Sequence, residues 1–372
     1  MMTKNQYRCN MRLVVKLGSN VLLHGTKQLQ QDWLNTVAER FAALKQAGHE
    51  FIIVCSGAAT EGKHHVQLTP QEKSKYTVMA RRQLYAAVGQ PYIIHALVEA
   101  FSRVQLTVAQ ALLTRNTFSE LNRYYNTTAV FKHMLEEGIV PIINGNDVIT
   151  TLELSSGGND GLAAIIAIAL DADRLVLMTN TDGVFDKNPF TEPDAKKFHT
   201  VKEPDVLLRM INSQASEVGI GGMYAKVEAA RLAWYAGIPT VIANGMNPVT
   251  YDCIADDTPP GTVFMPPAVP SRSEQAKIRW FLSSRNNFGS VIVDTGAEEA
   301  LKQRKSLLAV GVKQVRGEFT AGDIVSIENV GGQIVACGVV AYDADEVKQA
   351  VQQKTALEKP LVHANKLKLL YV

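Results

Sequence analysis

The sequence predicts an α/β fold with a mostly parallel sheet covered on both faces, followed by a smaller, mainly β domain. Short aliphatic runs recur along roughly the first 250 residues, each ending in a glycine- or asparagine-rich turn, with helical patterns between them. Continuously apolar strands are typical of a parallel sheet that is buried on both faces. After about residue 255 prolines punctuate the chain, and shorter alternating strands follow.

The predicted strands of the first domain each precede small or polar residues. Ligands of open parallel sheets bind at the carboxyl ends of the strands, so these turns mark the expected site. A helix is predicted between the first two strands, because apolar residues recur with helical spacing from Trp33 to Leu44, with Asp32 as the expected N-cap. The predicted strands are 13–17, 51–55, 139–143, 174–178 and 240–243.

The length of the chain, 372 residues, predicts two domains. Prolines between positions 259 and 270 indicate where the first domain gives way to a linker. A short strand at 262–265 is expected to end the first domain, and strands at 291–293, 323–327 and 333–340 are expected in the second. The predicted bounds are 10–265 for the first domain, 266–275 for the proline-rich linker and 276–372 for the second domain.

The composition argues against several classes of protein. Hydrophobic residues make up 46% and charged residues 20%, which are ordinary globular proportions and exclude a disordered chain. The formal net charge of +2 predicts no strong attraction of the whole chain to nucleic acid or membranes. The longest apolar run, 162–170, is far shorter than the roughly 20 residues that span a bilayer. Four scattered cysteines and a polar start predict free thiols, no signal peptide and a cytoplasmic protein.

Lys16 interrupts an otherwise apolar strand and is followed closely by Gly18 and Ser19. A buried ammonium is costly unless it is paired, so this side chain either reaches solvent or meets an anion. Small residues with free backbone N–H groups after a strand suit phosphate oxygens. Taken alone, the pattern fits a strand lysine without a function as well as it fits an anion site.

Two further segments offer backbone donors at the start of expected helices. Ser56, Gly57 and Ala58 follow the second strand and provide a hydroxyl and sterically open N–H groups. Residues 157–161 begin the nine-residue apolar helix, so the positive end of its dipole faces a possible anion. Asp160 in this segment is either a capping carboxylate or an organiser of nearby lysines and metal.

A third glycine-rich segment, 219–222, precedes Lys226, which is expected on the first turn of a helix. Its spacing is not that of a P-loop, and no strand directly precedes it as a dinucleotide-binding motif requires. A flexible glycine hinge is the plain alternative for this segment.

Together, two lysines, the glycine-rich turns and a central aspartate indicate phosphoryl transfer, which depends mostly on positioning and on neutralising the charge of the transferred group. Lys16 and Lys226 would flank the oxygens of that group. The eight histidines are dispersed, and the His64–His65 pair lacks a third ligand, so no metal site made of protein residues is predicted.

The order of these motifs resembles the amino acid kinase family, and within it the glutamate 5-kinase branch. This resemblance implies a three-layer α/β/α sandwich with a mostly parallel sheet. The tail from 289 to 342 is similar to a PUA domain, a small, mainly β domain. The segments that carry the resemblance are 14–19, 56–58, 83–90, 111–115, 124–126, 143–147, 158–160, 179–185 and 219–226.

The resemblance implies ATP- and Mg2+-dependent phosphorylation of the γ-carboxylate of L-glutamate to L-glutamyl 5-phosphate, the first step of proline biosynthesis. It also implies a homo-oligomer, a dimer or tetramer. Matching positions give the catalytic residues Lys16, Lys226 and Asp160 and the substrate-binding residues Ser56, Gly57, Ala58, Asp147 and Asn159. They give the nucleotide-binding residues Gly18, Ser19, Thr179, Asn180, Gly219, Ile220, Gly221, Gly222, Met223 and Lys226.

The chain departs from the family pattern around the amino-acid substrate. Gly145 and Gly158 stand where the family usually has acidic residues, and Ser155 stands where a basic residue is common. Ala163 replaces a usual serine, and Thr128 a usual arginine. These changes leave open a paralogue that phosphorylates another carboxylate, and they leave proline feedback open. An RNA-binding protein that uses the PUA-like tail is a hypothesis from a different class, which the near-neutral charge does not favour.

Overall fold

The computed structural model describes residues 10–26, 28–118, 121–149, 158–213, 220–267, 289–353 and 355–369. Contacts within the chain divide these residues into two compact units. The first unit comprises the described residues up to Thr114 and those from Thr128 to Pro267, and the second comprises Arg115–Thr127 and the described residues from Gly289 onwards. The predicted linker lies almost entirely outside the described residues, and the predicted domain bounds stay a prediction.

The first unit contains an eight-stranded sheet among its described residues. Its strands are β1 (Arg12–Leu17), β2 (Glu50–Val54), β3 (Val108–Leu113), β4 (Val140–Gly145), β5 (Arg174–Thr179), β6 (Thr200–Val201), β7 (Thr240–Asn244) and β8 (Thr262–Phe264). They lie in the order β3-β4-β2-β1-β5-β7-β8-β6, and every pairing is parallel except that of β7 with β8. The predicted mostly parallel sheet is therefore confirmed.

The described part of the chain up to Pro267 also contains α-helices. They are α1 (Ser19–Leu22), α2 (Gln31–Gln46), α3 (Ala58–His65), α4 (Pro70–Lys75), α5 (Val78–Arg103), α6 (Leu121–Glu136), α7 (Gly158–Ala169), α8 (Pro204–Ser213), α9 (Ile220–Tyr235) and α10 (Pro248–Asp252). The expected N-cap at Asp32 is wrong, because α2 begins at Gln31 with Gln30 as its N-cap. Asp32 lies in the first turn, where its carboxylate still faces the positive end of the helix dipole.

The alternation of side chains along β1 explains why helices pack on both faces of the sheet. Leu13, Val15 and Leu17 point to one face and join a core cluster with Phe41 of α2. Val14 and Lys16 point to the other face, because successive side chains of a strand alternate, and α7 packs against β1 on that side. Both faces are therefore buried, as the uniformly apolar strand pattern predicts.

Several elements of the first unit were not predicted from the sequence, among them β3 and the 26-residue helix α5. Pro91 lies inside α5, where a proline usually ends a helix. This helix packs very closely on α3, since a Cβ on Gly89 would lie only 2.0 Å from the carbonyl oxygen of Ala58. Glycine is therefore needed at this crossing of α5 and α3.

The second unit contains a five-stranded sheet among its described residues, in the order β10-β9-β11-β12-β13. Its strands are β9 (Gly289–Val293), β10 (Val312–Gly317), β11 (Ile324–Asn329), β12 (Ile334–Val340) and β13 (Val362–Leu369), and its helices include α11 (Thr295–Lys302) and α12 (Ala344–Gln353). Asp294 caps α11 by accepting a hydrogen bond from the backbone N–H of Ala297 at 2.7 Å. The predicted mainly β second domain is confirmed, although β10 and β13 were not predicted. Across the described residues of both units, no helix is both long and apolar enough to cross a membrane.

Candidate active site

Asp160 lies between two lysine ammonium groups at the carboxyl edge of the parallel strands. Its Oδ1 is 2.8 Å from Nζ of Lys16, at the end of β1, and its Oδ2 accepts a hydrogen bond from Nζ of Lys226 at 2.9 Å. The carboxylate is in the first turn of α7, while Lys226 projects from α9. All three side chains are buried. The structure thus joins the three predicted catalytic residues into one cluster.

The cluster carries a net positive charge, because one carboxylate faces two ammonium groups. Burial lowers the pKa of Lys16 to about 8, opposed by the attraction of Asp160 and reinforced by repulsion from Lys226. Burial alone would raise the pKa of Asp160, but the two lysines outweigh it and hold that pKa below its ordinary value. Asp160 is therefore ionised at neutral pH, and Lys16 is protonated over most of the physiological range.

The start of α9 differs from the expectation. The helix begins at Ile220, so Lys226 is its seventh residue and lies in the second turn, which corrects the expected first-turn position. Residues Ile220, Gly221, Gly222 and Met223 belong to the helix itself, and Gly219 lies outside the described residues. A Cβ on Gly222 would meet nothing within 4 Å among the described atoms.

The other predicted nucleotide-binding residues follow two neighbouring strands. Gly18 comes directly after β1, and a Cβ there would lie 3.7 Å from Nζ of Lys16. Ser19 begins α1. Thr179 ends β5 and Asn180 follows it, and β5 pairs with β1 in parallel, so these residues share the same edge of the sheet.

Asn159, next to Asp160, ties the ends of two strands to the start of α7. Its Nδ2 donates to the carbonyl oxygen of Cys55 at 2.7 Å, to Oδ1 of Asn144 at 2.7 Å and to Oγ of Ser56 at 3.1 Å. Its Oδ1 accepts from the backbone N–H of Gly145 at 3.1 Å. The side chain therefore holds Asp160 in register with the carboxyl ends of β2 and β4.

A cavity of about 340 Å³ lies in the first unit beside these strand ends. Asp147 and Ala58, both predicted to bind substrate, line it. Gly57, the middle residue of the predicted turn, has φ of +102° and is the N-cap of α3, so a left-handed backbone turns the chain here. The remaining lining residues are Ala86, Ala87, Gln90, Pro91, Ile94, Gln110, Leu112, Gly145, Asn146 and Val148.

The described residues contain no group of three or more His, Cys, Asp and Glu side chains that could hold a metal ion. Metal binding through the phosphates of a nucleotide needs no such group, because Mg2+ keeps several waters and is commonly held by substrate phosphates with one or two carboxylates. The two ammonium groups around Asp160 are instead suited to binding anions.

Sequence comparison agrees with this geometry. Residues 11–244 match the amino acid kinase family. The chain belongs to that family. Residues 289–357 match the PUA domain, in agreement with the five-stranded second unit. The family-level resemblance drawn from the motifs is therefore confirmed, together with the use of ATP that the family implies.

Relatives of known name align over nearly the whole chain. A glutamate 5-kinase of Aliivibrio salmonicida is 36% identical over 339 residues, covering 90% of this chain and 89% of the relative. A glutamate 5-kinase of Acinetobacter baylyi is 35% identical over 374 residues, covering 97% of each chain. A third, from Caldanaerobacter subterraneus, is 35% identical over 347 residues, covering 93% of this chain and 91% of the relative. These relatives share both units with this chain.

Two residues of the site were missed by reasoning from the sequence, Gln90 and Asn144. Nδ2 of Asn144 donates to Oε1 of Gln90 at 2.6 Å, and Asn144 is almost completely buried. Gln90 ends the stretch 83–90 that contributed to the family resemblance, but its role was not assigned. The signal was present at Asn144, which is a buried amide at the end of an otherwise apolar strand.

Proposed function

We propose that this protein transfers the γ-phosphoryl group of ATP to the γ-carboxylate of L-glutamate, forming L-glutamyl 5-phosphate and ADP. The observation that carries the proposal is the Lys16–Asp160–Lys226 cluster. Asn159, the neighbour of Asp160, bonds to Gly145, which lines the cavity together with Asp147. The glutamate 5-kinases that align over about nine-tenths of the chain support this choice of substrate. With this activity the protein would catalyse the first step of proline biosynthesis.

In the proposed reaction a γ-carboxylate oxygen of glutamate attacks the γ-phosphorus of ATP, and the bond from that phosphorus to the bridging oxygen breaks. ADP leaves with the electron pair of that bond. The attacking carboxylate is already ionised near neutral pH, so the step needs no general base. Lys16 and Lys226 neutralise the oxygens of the transferred group, and Asp160 holds the two ammonium groups apart in a fixed geometry.

The nucleotide phosphates would lie near Gly18 and near Gly222 in the first turn of α9, with Ser19, Thr179 and Asn180 at the same sheet edge as Gly18. Mg2+ bound through those phosphates would reduce their negative charge during transfer. On the substrate side, Ser56, Gly57 and Ala58 would meet the amino acid from one strand end, and Asp147 from the other, where its carboxylate suits an α-ammonium group.

A second candidate is a paralogue that phosphorylates a different carboxylate. Gly145 lies on the cavity wall without a side chain, where the resembled family usually has glutamate. Gly158, at the start of α7, likewise lacks the usual carboxylate. A cavity with less negative charge and more space would accept a substrate that is longer than glutamate or that lacks its α-ammonium group.

The test of the proposed function is to incubate the purified protein with ATP, Mg2+ and L-glutamate and to trap the acyl phosphate with hydroxylamine. Aspartate, N-acetylglutamate and 2-aminoadipate complete the panel. Glutamate is expected to give the highest kcat/KM, and no hydroxamate above background would refute the proposal. Lys226→Met is expected to abolish product, while Lys132→Met, which removes an exposed ammonium of α6, serves as the matched control. Another substrate turning over best would establish the paralogue instead.

We also propose that the protein is a homo-oligomer, a dimer or tetramer, and that it acts in the cytoplasm. The resemblance to the family supports both statements. Sedimentation velocity of the full chain tests the first, because a single monomer boundary over the micromolar range would refute it. Fractionation of the source cells tests the second.

A further inference from the structure

Gln90 ends a chain of three side-chain amides whose orientation is fixed by the backbone. The first is Asn159, whose Oδ1 accepts from the N–H of Gly145 and whose Nδ2 donates to the carbonyl of Cys55. A backbone N–H can only donate and a carbonyl oxygen can only accept, so the two contacts fix which end of the Asn159 amide is nitrogen.

The orientation of Asn159 in turn fixes the orientation of the next two amides. Oδ1 of Asn144 faces Nδ2 of Asn159 at 2.7 Å, so the amide nitrogen of Asn144 must point the other way. It donates to Oε1 of Gln90 at 2.6 Å. The remaining end of the chain is therefore Nε2 of Gln90, which carries two N–H donors. No described residue accepts a hydrogen bond from it.

Gln90 is half-buried and lines the cavity that also contains Asp147. None of the described residues around this cavity is a lysine, arginine or histidine. A carboxylate bound there has to be recognised by neutral donors, and Gln90 offers a pair whose direction is set in advance. Preorganised donors cost little reorientation entropy when a ligand binds.

We infer that Nε2 of Gln90 donates to the α-carboxylate of the amino-acid substrate and selects for substrates that carry this group. The inference rests on the proposed function and deepens it. The γ-carboxylate of glutamate must reach the Lys16–Asp160–Lys226 cluster to react, so the α-carboxylate is the group left for the cavity. Asp147 on the same wall would receive the α-ammonium group, and the two contacts together would recognise an α-amino acid.

The test compares three variants. Gln90→Glu keeps the acceptor for Asn144 but replaces the terminal donor with an oxygen, and Gln90→Met removes the donor at similar size. Gln110→Glu is the matched control, because it adds the same charge to the same cavity outside the amide chain. The readouts are KM for L-glutamate, kcat, KM for ATP, and the inhibition constant of 4-aminobutyrate, which has the structure of glutamate without its α-carboxylate.

Gln90→Met is expected to raise KM for glutamate about ten- to a hundredfold, the usual cost of a hydrogen bond to a charged group. KM for ATP and the inhibition constant of 4-aminobutyrate should stay within about twofold, showing an intact fold and a lost contact to the α-carboxylate. Gln90→Glu should raise KM for glutamate further, and more than Gln110→Glu does.

An unchanged KM for glutamate in Gln90→Met overturns the inference, as does an equal rise in Gln90→Glu and Gln110→Glu. A parallel weakening of 4-aminobutyrate also overturns it, because the contact would then lie elsewhere on the ligand. Failure of the wild-type protein to phosphorylate glutamate refutes the proposed function separately. The variants are then assayed with the α-amino carboxylate that turns over best, where an unchanged KM overturns the assignment of Gln90. No turnover of any α-amino carboxylate overturns both.

Discussion

Asp160→Asn tests whether one buried carboxylate sets the charge of the lysine cluster. The substitution preserves the size of the side chain but removes the charge that lies 2.8 Å from Nζ of Lys16 and 2.9 Å from Nζ of Lys226. At 2.8 Å and an effective dielectric constant of about 20, one such ion pair has a Coulomb energy of about 6 kcal/mol. The wild-type pKa of Lys16 is already lowered to about 8 by burial, despite the attraction of Asp160.

Loss of that attraction is therefore expected to lower the pKa of Lys16 below neutrality, leaving an uncharged amine in the variant at pH 7. A missing positive charge at the transferred group should reduce kcat by about 10²- to 10³-fold, as removal of one electrostatic donor typically does. About 6 kcal/mol corresponds to roughly four pKa units, so Lys16 should regain its proton only well below pH 6 and the loss should persist across the neutral range. The alkaline limb of the activity profile thus moves to lower pH.

The assay is the pH dependence of kcat/KM for ATP from pH 5.5 to 9.5, measured by release of ADP, in the wild type and the variant. In the wild type the alkaline limb should reflect an ionisation near pH 8, because kcat/KM reports groups of the free enzyme. Circular dichroism and binding of a nucleotide analogue show whether the variant is folded. A variant that is folded and keeps the wild-type alkaline limb would refute the electrostatic role of Asp160.

Three further predictions concern stability. Gly89→Ala should unfold in calorimetry several degrees below the wild type or fail to fold, because its Cβ would lie 2.0 Å from the carbonyl oxygen of Ala58; an unchanged Tm would contradict the close helix crossing. Tyr235→Phe removes a 2.6 Å hydrogen bond to Oδ2 of buried Asp205 and should cost about 1–3 kcal/mol in urea unfolding, whereas no measurable change would show that the acceptor is resolvated. The folded pKa of Lys16, about 8, lies below its ordinary 10.5, so the unfolded state binds more protons between these values and stability should rise with pH there. Relative to Lys16→Met, the free energy of unfolding of the wild type should increase by up to about 3 kcal/mol from pH 8 to 10.5. The same pH dependence of this free energy in both proteins, measured by urea unfolding, would disprove the lowered pKa.

Local sequence patterns were sufficient to predict the strands that build the site. β1 and β5 are buried along almost their whole length, so their interior residues, apart from Lys16, are apolar and recognisable without tertiary information. By contrast, β3 has alternating partly buried and exposed residues at the sheet edge, and its pattern resembles that of a loop. Pro91 interrupts the helical signal of α5, which is maintained instead by packing on α3.

The sequence by itself determined the kinds of residue at the site: a lysine within an apolar strand, glycine-rich turns after strands, and an aspartate at the start of an apolar helix. Only the tertiary structure decided which of these groups meet. Lys226 and Asp160 are 66 positions apart, and the amides of Gln90, Asn144 and Asn159 come from three different elements. The local pattern of apolar and polar residues reflects burial, because each strand or helix has apolar residues where it is buried. The pairing of charges and the direction of an amide depend on distances between elements, and these distances are set only when the parallel strands place their carboxyl ends side by side.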